Sequence, residues 1–116
     1  MNKTLIQNEK AIVNLKFKTT LPLEDLEKIS SERKRILKKT RGLVSLHCYV
    51  NDETKTFGGI FMFEEIRFAN QYLENFLTEG MGPKYGVIAK TLKIDIGAVK
   101  YKIDGENLDS YGNIME

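Results

Sequence analysis

The chain has 116 residues, 41% hydrophobic and 29% charged, with a formal charge of +2. That is one globular domain able to bury roughly two-thirds of its unfolded surface without staples, and so small a charge gives no ground for a nucleic-acid partner. A lone cysteine, Cys48, excludes an internal disulfide and fits a reducing, cytoplasmic setting, a single histidine excludes His/Cys metal clusters, and no apolar run approaches the ~20 residues of a membrane span.

Residues 1–10 read as a polar extension without the apolar core of a signal peptide. Residues 11–18 alternate, with Ala11, Val13, Leu15 and Phe17 on one side and Ile12, Asn14, Lys16 and Lys18 on the other, which predicts a half-buried strand. Residues 22–39 predict a helix. Pro22 suits its first position, and Leu26, Ile29, Ile36 and Leu37 recur at helical spacing, interrupted by Arg33. Glu24, Asp25 and Glu27 open it and Arg35, Lys38 and Lys39 close it, an order that complements the helix dipole. The basic residues of its second half spread around the helix, as on a solvated surface. Gly42 supplies the stop.

Residues 43–50 predict a second strand, with Val44, Leu46, Cys48 and Val50 on an apolar face and Ser45, His47 and Tyr49 on the other. Cys48 reads as inert core. Residues 51–55 form a hairpin loop, and 56–63 a third strand with Phe57, Phe61 and Phe63 on one face and Ile60 and Met62 on the other. The pair Gly58-Gly59 inside it is unusual, because glycine packs nothing. It is tolerated at a bulge or where another group must approach the backbone. Residues 65–78 predict a second helix through Ile66, Ala69, Tyr72, Leu73 and Phe76, broken by Gly80-Met81-Gly82-Pro83. Residues 84–92 fit a short helix through Tyr85, Ile88 and Leu92, and almost as well a strand through Val87, Ala89 and Thr91; the helix is preferred. Residues 98–103 alternate Val99, Tyr101 and Ile103 against Lys100 and Lys102, a closing strand, and 107–116 read as a polar tail.

The order β-α-β-β-α-(α)-β over residues 11–106 predicts an α+β, ferredoxin-like split βαβ domain: a four-stranded antiparallel sheet with its helices on one face. The other face keeps Ile60 and Met62 among polar neighbours. Apolar surface of that kind predicts a two-fold homodimer, sheet against sheet.

Gly42-Leu43-Val44, the 51–55 loop, and Gly58-Gly59-Ile60-Phe61-Met62-Phe63-Glu64 leading into Tyr72-Leu73-Glu74 resemble the YdhR-like monooxygenases of the dimeric α+β barrel superfamily. The resemblance spans roughly residues 11–106, and the Gly-Gly-aromatic segment is its most specific part. It implies a homodimer whose sheets form a barrel, and a cavity between sheet and helices or near the dimer seam. Relatives that oxidise polycyclic phenols with O₂, without metal or flavin, imply a cofactor-independent monooxygenase acting on an aromatic or polyketide-like molecule. Other relatives are isomerases, decarboxylases or plain ligand binders, so those readings stand as alternatives. Family members often carry Trp near the second strand, and this chain has none.

The resemblance supplies no catalytic residue, so the candidates come from the residues themselves. Deprotonating a phenol or enol so that its carbanion reduces O₂ needs one base and one hydrogen-bond donor. His47 is the expected base, since an imidazole titrates nearest neutrality, and Tyr49, on the same face, the expected donor. Ser45, Asn14, Phe61 and Tyr85 complete the expected substrate-binding set. Lys16, Lys100 and Lys102, on one face of adjacent strands, would attract an anion. Each of these residues also has a plain reading as core, interface or solvated face.

Overall fold

The computed structural model describes residues 9–78 and 84–106. The strands β1 (Ala11–Lys18), β2 (Leu43–Asn51), β3 (Thr56–Phe63) and β4 (Lys93–Ala98) form one sheet in the order β2-β3-β1-β4, every neighbour antiparallel. With α1 (Leu23–Lys38) after β1 and α2 (Ile66–Thr78) after β3, this is the ferredoxin-like arrangement. No helix among the described residues is long and apolar enough to cross a membrane.

Alternation in β1 decides which face is core. Ala11, Val13, Leu15 and Phe17 are buried and the residues between them are exposed. Register carries this across the sheet: Val13 lies opposite Phe61 and Ile96, Leu15 opposite Gly59 and Ile94, and Phe17 opposite Phe57. Ile66, Ala69 and Phe76 of α2 and Leu26 of α1 close this core. The other face is open. His47, Ile60, Asn14 and Asp95 form one row across its four strands, and Tyr49, Gly58, Lys16 and Lys93 form the next.

The two helices are held unequally. Ile66 and Ala69, near the start of α2, are almost wholly buried, and the Ile66 amide bonds to the Glu9 carbonyl at 3.1 Å. The longer α1 buries Leu26 alone, and Ile36 is 59% exposed. No residue of β2 is fully buried. Helix α1 therefore leaves a gap over β2 instead of sealing it.

The closing strand lies at Lys93–Ala98, ahead of the expected 98–103. The reason is a clamp at the end of β1. Thr19 Oγ1 donates to the Tyr85 carbonyl at 2.6 Å, the Thr20 amide to the Gly86 carbonyl at 3.1 Å, and the Lys18 amide to Thr91 Oγ1 at 2.8 Å. The chain is thus delivered to the sheet at Lys93, opposite Lys16, and Ile94 and Ile96 turn toward the core. Past Val99 it leaves the sheet: Tyr101 and Ile103 are exposed, Lys100 pairs with Glu9 at 3.4 Å and Lys102 with Asp104 at 3.5 Å. The lysine row expected from 100 and 102 is instead occupied by Lys93. Lys84 is helical, but residues 85–92 are neither the preferred helix nor the strand. They hold a left-handed Gly86 (φ 65°), an isolated bridge from Val87 to Thr19, and one 3-10 turn at Ala89–Thr91. The expected break at 80–83, and most of both terminal extensions, lie outside the described residues.

One side chain also sits differently from expectation. A register shift between Leu43 and Ser45 leaves Val44 half exposed. Phe68 packs against the edge of the core, and the guanidinium groups of Arg41 (5.1 Å) and Arg67 (4.6 Å) stand over its ring.

Candidate functional site

The gap beneath α1 is a cavity of about 570 Å³. Its floor is the core face of β1 and β3, where Leu15, Phe57, Gly59 and Phe61 line it. Tyr72 and Phe76 of α2 form one wall, Ser30, Lys34 and Leu37 of α1 the roof, and Leu46 and Cys48 of β2 the rim, with Tyr85 closing one end.

The glycine pair explains the space. Gly59 points into the cavity between Leu15 and Cys48, and a Cβ there would press on the Phe61 ring at 3.0 Å and Leu46 at 3.3 Å. Gly58 points the other way, and a Cβ there would collide with the hydroxyl end of the Tyr49 ring. One missing side chain opens the cavity and the other seats an aromatic ring on the open face. Around Gly59 the rings of Phe61 and Tyr72 meet at 4.9 Å, and those of Phe57 and Tyr85 stack at 5.7 Å. The walls are therefore flat and apolar, suited to a ring-shaped ligand.

The polar groups here keep their protons. Burial pushes the Tyr72 phenol up to about 12, with nearby Arg33 opposing the rise. Burial also raises the Tyr85 phenol, against the pull of Arg33 and Ser30 beside it. The Cys48 thiol is raised by burial and lowered by the Lys34 ammonium. At neutral pH all three are donors and none is a base. Ser30 Oγ is buried beside the Tyr85 phenol. Among the described residues the lining holds no imidazole and no carboxylate, and no three His, Cys, Asp or Glu side chains gather as a metal site.

The expected site residues divide between two faces. Ser45, Phe61 and Tyr85 line the cavity. His47, Tyr49 and Asn14 stand on the open face, with His47 exposed, Tyr49 over Gly58, and Asn14 between Ile60 and Asp95. Cys48 is cavity rim, not inert core, because α1 does not cover β2 at that point. Reading the sequence missed Ser30, Lys34 and Tyr72. The available signal was the break in the α1 stripe at Arg33, where a core-facing helix turns polar.

No family model matches the chain, and no curated protein is similar to it. Among solved structures it is similar to a conserved protein of unknown function from Bacteroides thetaiotaomicron VPI-5482, described as a possible oxidoreductase. The two share 11% identity over 81% of this chain and 99% of that one, with a TM-score of 0.47.

Proposed function

We propose that this chain is a YdhR-like protein of the dimeric α+β barrel superfamily that takes a flat, largely apolar aromatic molecule into the cavity beneath α1. One observation carries this reading. The Gly58-Gly59-Ile60-Phe61 segment, on which the resemblance chiefly rests, is also the part of the sheet whose missing side chain makes room for a ligand. Burying about 250 Å² of apolar ligand surface at ~25 cal/mol per Å² contributes about 6 kcal/mol before the cost of association. Polar contacts must supply the rest of any useful affinity. The test is thermal: three-ring aromatics should raise the melting temperature in proportion to the logarithm of their concentration. A melting temperature unmoved by a broad aromatic panel would sink the reading.

Cofactor-independent oxygenation is the second reading, favoured by the same segment through its resemblance to the monooxygenases. The substrate would be a phenol, quinol or enol whose carbanion passes electrons to O₂. A ring CH₂ becomes C=O, one oxygen atom stays and the other leaves as water. Among the described residues the cavity lining holds no base, so this reading needs the open face. His47 remains the proposed base and Tyr49 its donor only where a second sheet closes the open face. O₂ uptake with a phenol and quinol panel tests this. Uptake slowed by His47→Ala supports the open-face pair, whereas binding without uptake leaves a ligand-binding protein. Turnover without O₂ consumption would indicate an isomerase or decarboxylase.

A further inference from the structure

We infer that the ligand of the cavity is an anion, a ring-sized apolar body carrying one acidic group, carboxylate or phenolate, directed at α1. The inference rests on the cavity being a binding site, as proposed above, and adds the chemical class of what it binds.

Charge around the cavity is one-sided. Lys34 and Lys38, one turn apart on α1, both line it, and among the described residues no Asp or Glu does. Arg33 lies beside the Tyr72 and Tyr85 phenols, near enough to oppose the effect of burial on both. The acidic residues at the start of α1, Glu24 and Asp25, sit at the opposite end of the helix. Lys34 and Lys38 are exposed, so water and salt screen this field in part and it acts on a ligand group at the α1 side of the cavity.

Hydrogen-bonding capacity points the same way. The Tyr72 and Tyr85 hydroxyls and the Cys48 thiol each bring a proton to the cavity. Each hydroxyl can also accept, but among the described residues no carboxylate in the lining competes with an anionic ligand for these protons. A buried donor left unpaired costs about 1–3 kcal/mol, so the molecule that fits best supplies acceptor oxygens toward α1. The floor and the α2 wall are aromatic and aliphatic, so a charged group has no other place to go. A neutral hydrocarbon of the same shape would gain the apolar contacts and leave the donors and lysines unused.

The experiment uses two fluorescent probes that share a ring frame and differ in charge: anilinonaphthalene sulfonate and the uncharged N-phenylnaphthylamine. Both are titrated into the full chain. The expected result is that the sulfonate binds about tenfold more tightly or better, with a preference that shrinks as salt rises. Lys34→Gln should weaken sulfonate binding about threefold, and Lys34→Gln with Lys38→Gln more, while the amine is unaffected. Both lysines are exposed and these variants should fold. Equal affinities, insensitive to Lys34→Gln, would overturn the anion inference and leave the cavity reading standing. If neither probe binds, both readings fall. Cys48→Phe should abolish binding of both probes, and sulfonate binding that survives it lies elsewhere and counts against the inference. Should Cys48→Phe fail to fold, a bulky maleimide on the exposed Cys48 thiol of the folded protein blocks the same space and is scored in the same way.

Discussion

At Gly42 the backbone and a neighbouring ring together exclude any side chain. Its φ of 77° is left-handed, and a Cβ there would collide with the ring of Phe68 and lie 2.7 Å from its Cβ. The Gly42 carbonyl also accepts the Glu64 amide at 2.8 Å, tying the start of β2 to the end of β3. Gly42→Ala should therefore cost about 1–3 kcal/mol in backbone strain alone, and more once Phe68 is pushed from its place under Arg41 and Arg67. Urea unfolding checks this, and a loss under about 0.5 kcal/mol would show that the turn relaxes freely. Tyr72 makes a pH prediction. Its phenol is pushed up from 10.0 to about 12 by burial, so the folded chain holds a proton that the unfolded chain releases. The stability linked to this group is complete below about pH 10 and is lost as pH rises toward 12, by at most about 2–3 kcal/mol. Tyr72→Phe should flatten the fall in the urea midpoint between pH 10 and 12, leaving the share due to Tyr85. An unchanged slope would mean that the phenol is solvated.

At the scale of elements, α1 is the weakly held part. It buries only Leu26, whereas β1 buries four side chains in eight residues. Its amides should exchange with deuterium well before those of β1 and β3, and Leu26→Ala should cost about 2–5 kcal/mol and widen that difference. Protection of α1 equal to that of β1 would contradict the gap beneath it. The same imbalance marks what the sequence could disclose. Strand β1 was legible because its strict alternation leaves no second solution, and β3 because Phe57, Phe61 and Phe63 fall on one face, in register with β1. The closing strand was not, because 93–98 and 98–103 both alternate, and only the hydrogen bonds of Thr19 and Thr91 select the first. The glycine pair announced a close approach to the backbone. Which face it opened depended on the distance of α1 from β2, a tertiary quantity that no local pattern encodes. Hence Phe61 and Tyr85 fell in the cavity, while His47 and Tyr49, chosen for their chemistry, fell on the far side of the sheet.

At the scale of the whole molecule, the open face calls for a partner, and a second copy is the proposed one. Ile12, 39% exposed, lies opposite Met62, with Ile60 two residues along β3 from Met62. Around this apolar centre stand His47, Asn14, Lys16, Lys93 and Asp95. An apolar centre within a polar rim is the anatomy of an interface, and a two-fold contact is the simplest way for one surface to cover itself. Ile60 is the residue to change, because it sits on the central strand and its side chain faces away from the core. Ile60→Lys should leave folding intact and put a charge at the middle of the contact, opposite its own copy. Sedimentation at micromolar concentration should give twice the 13.3 kDa chain mass for the native protein and the single mass for the variant. A native protein that sediments as a monomer would remove the dimer, and with it the enclosed space in which His47 and Tyr49 would act. The cavity beneath α1 would remain, since every residue argued to line it comes from one chain.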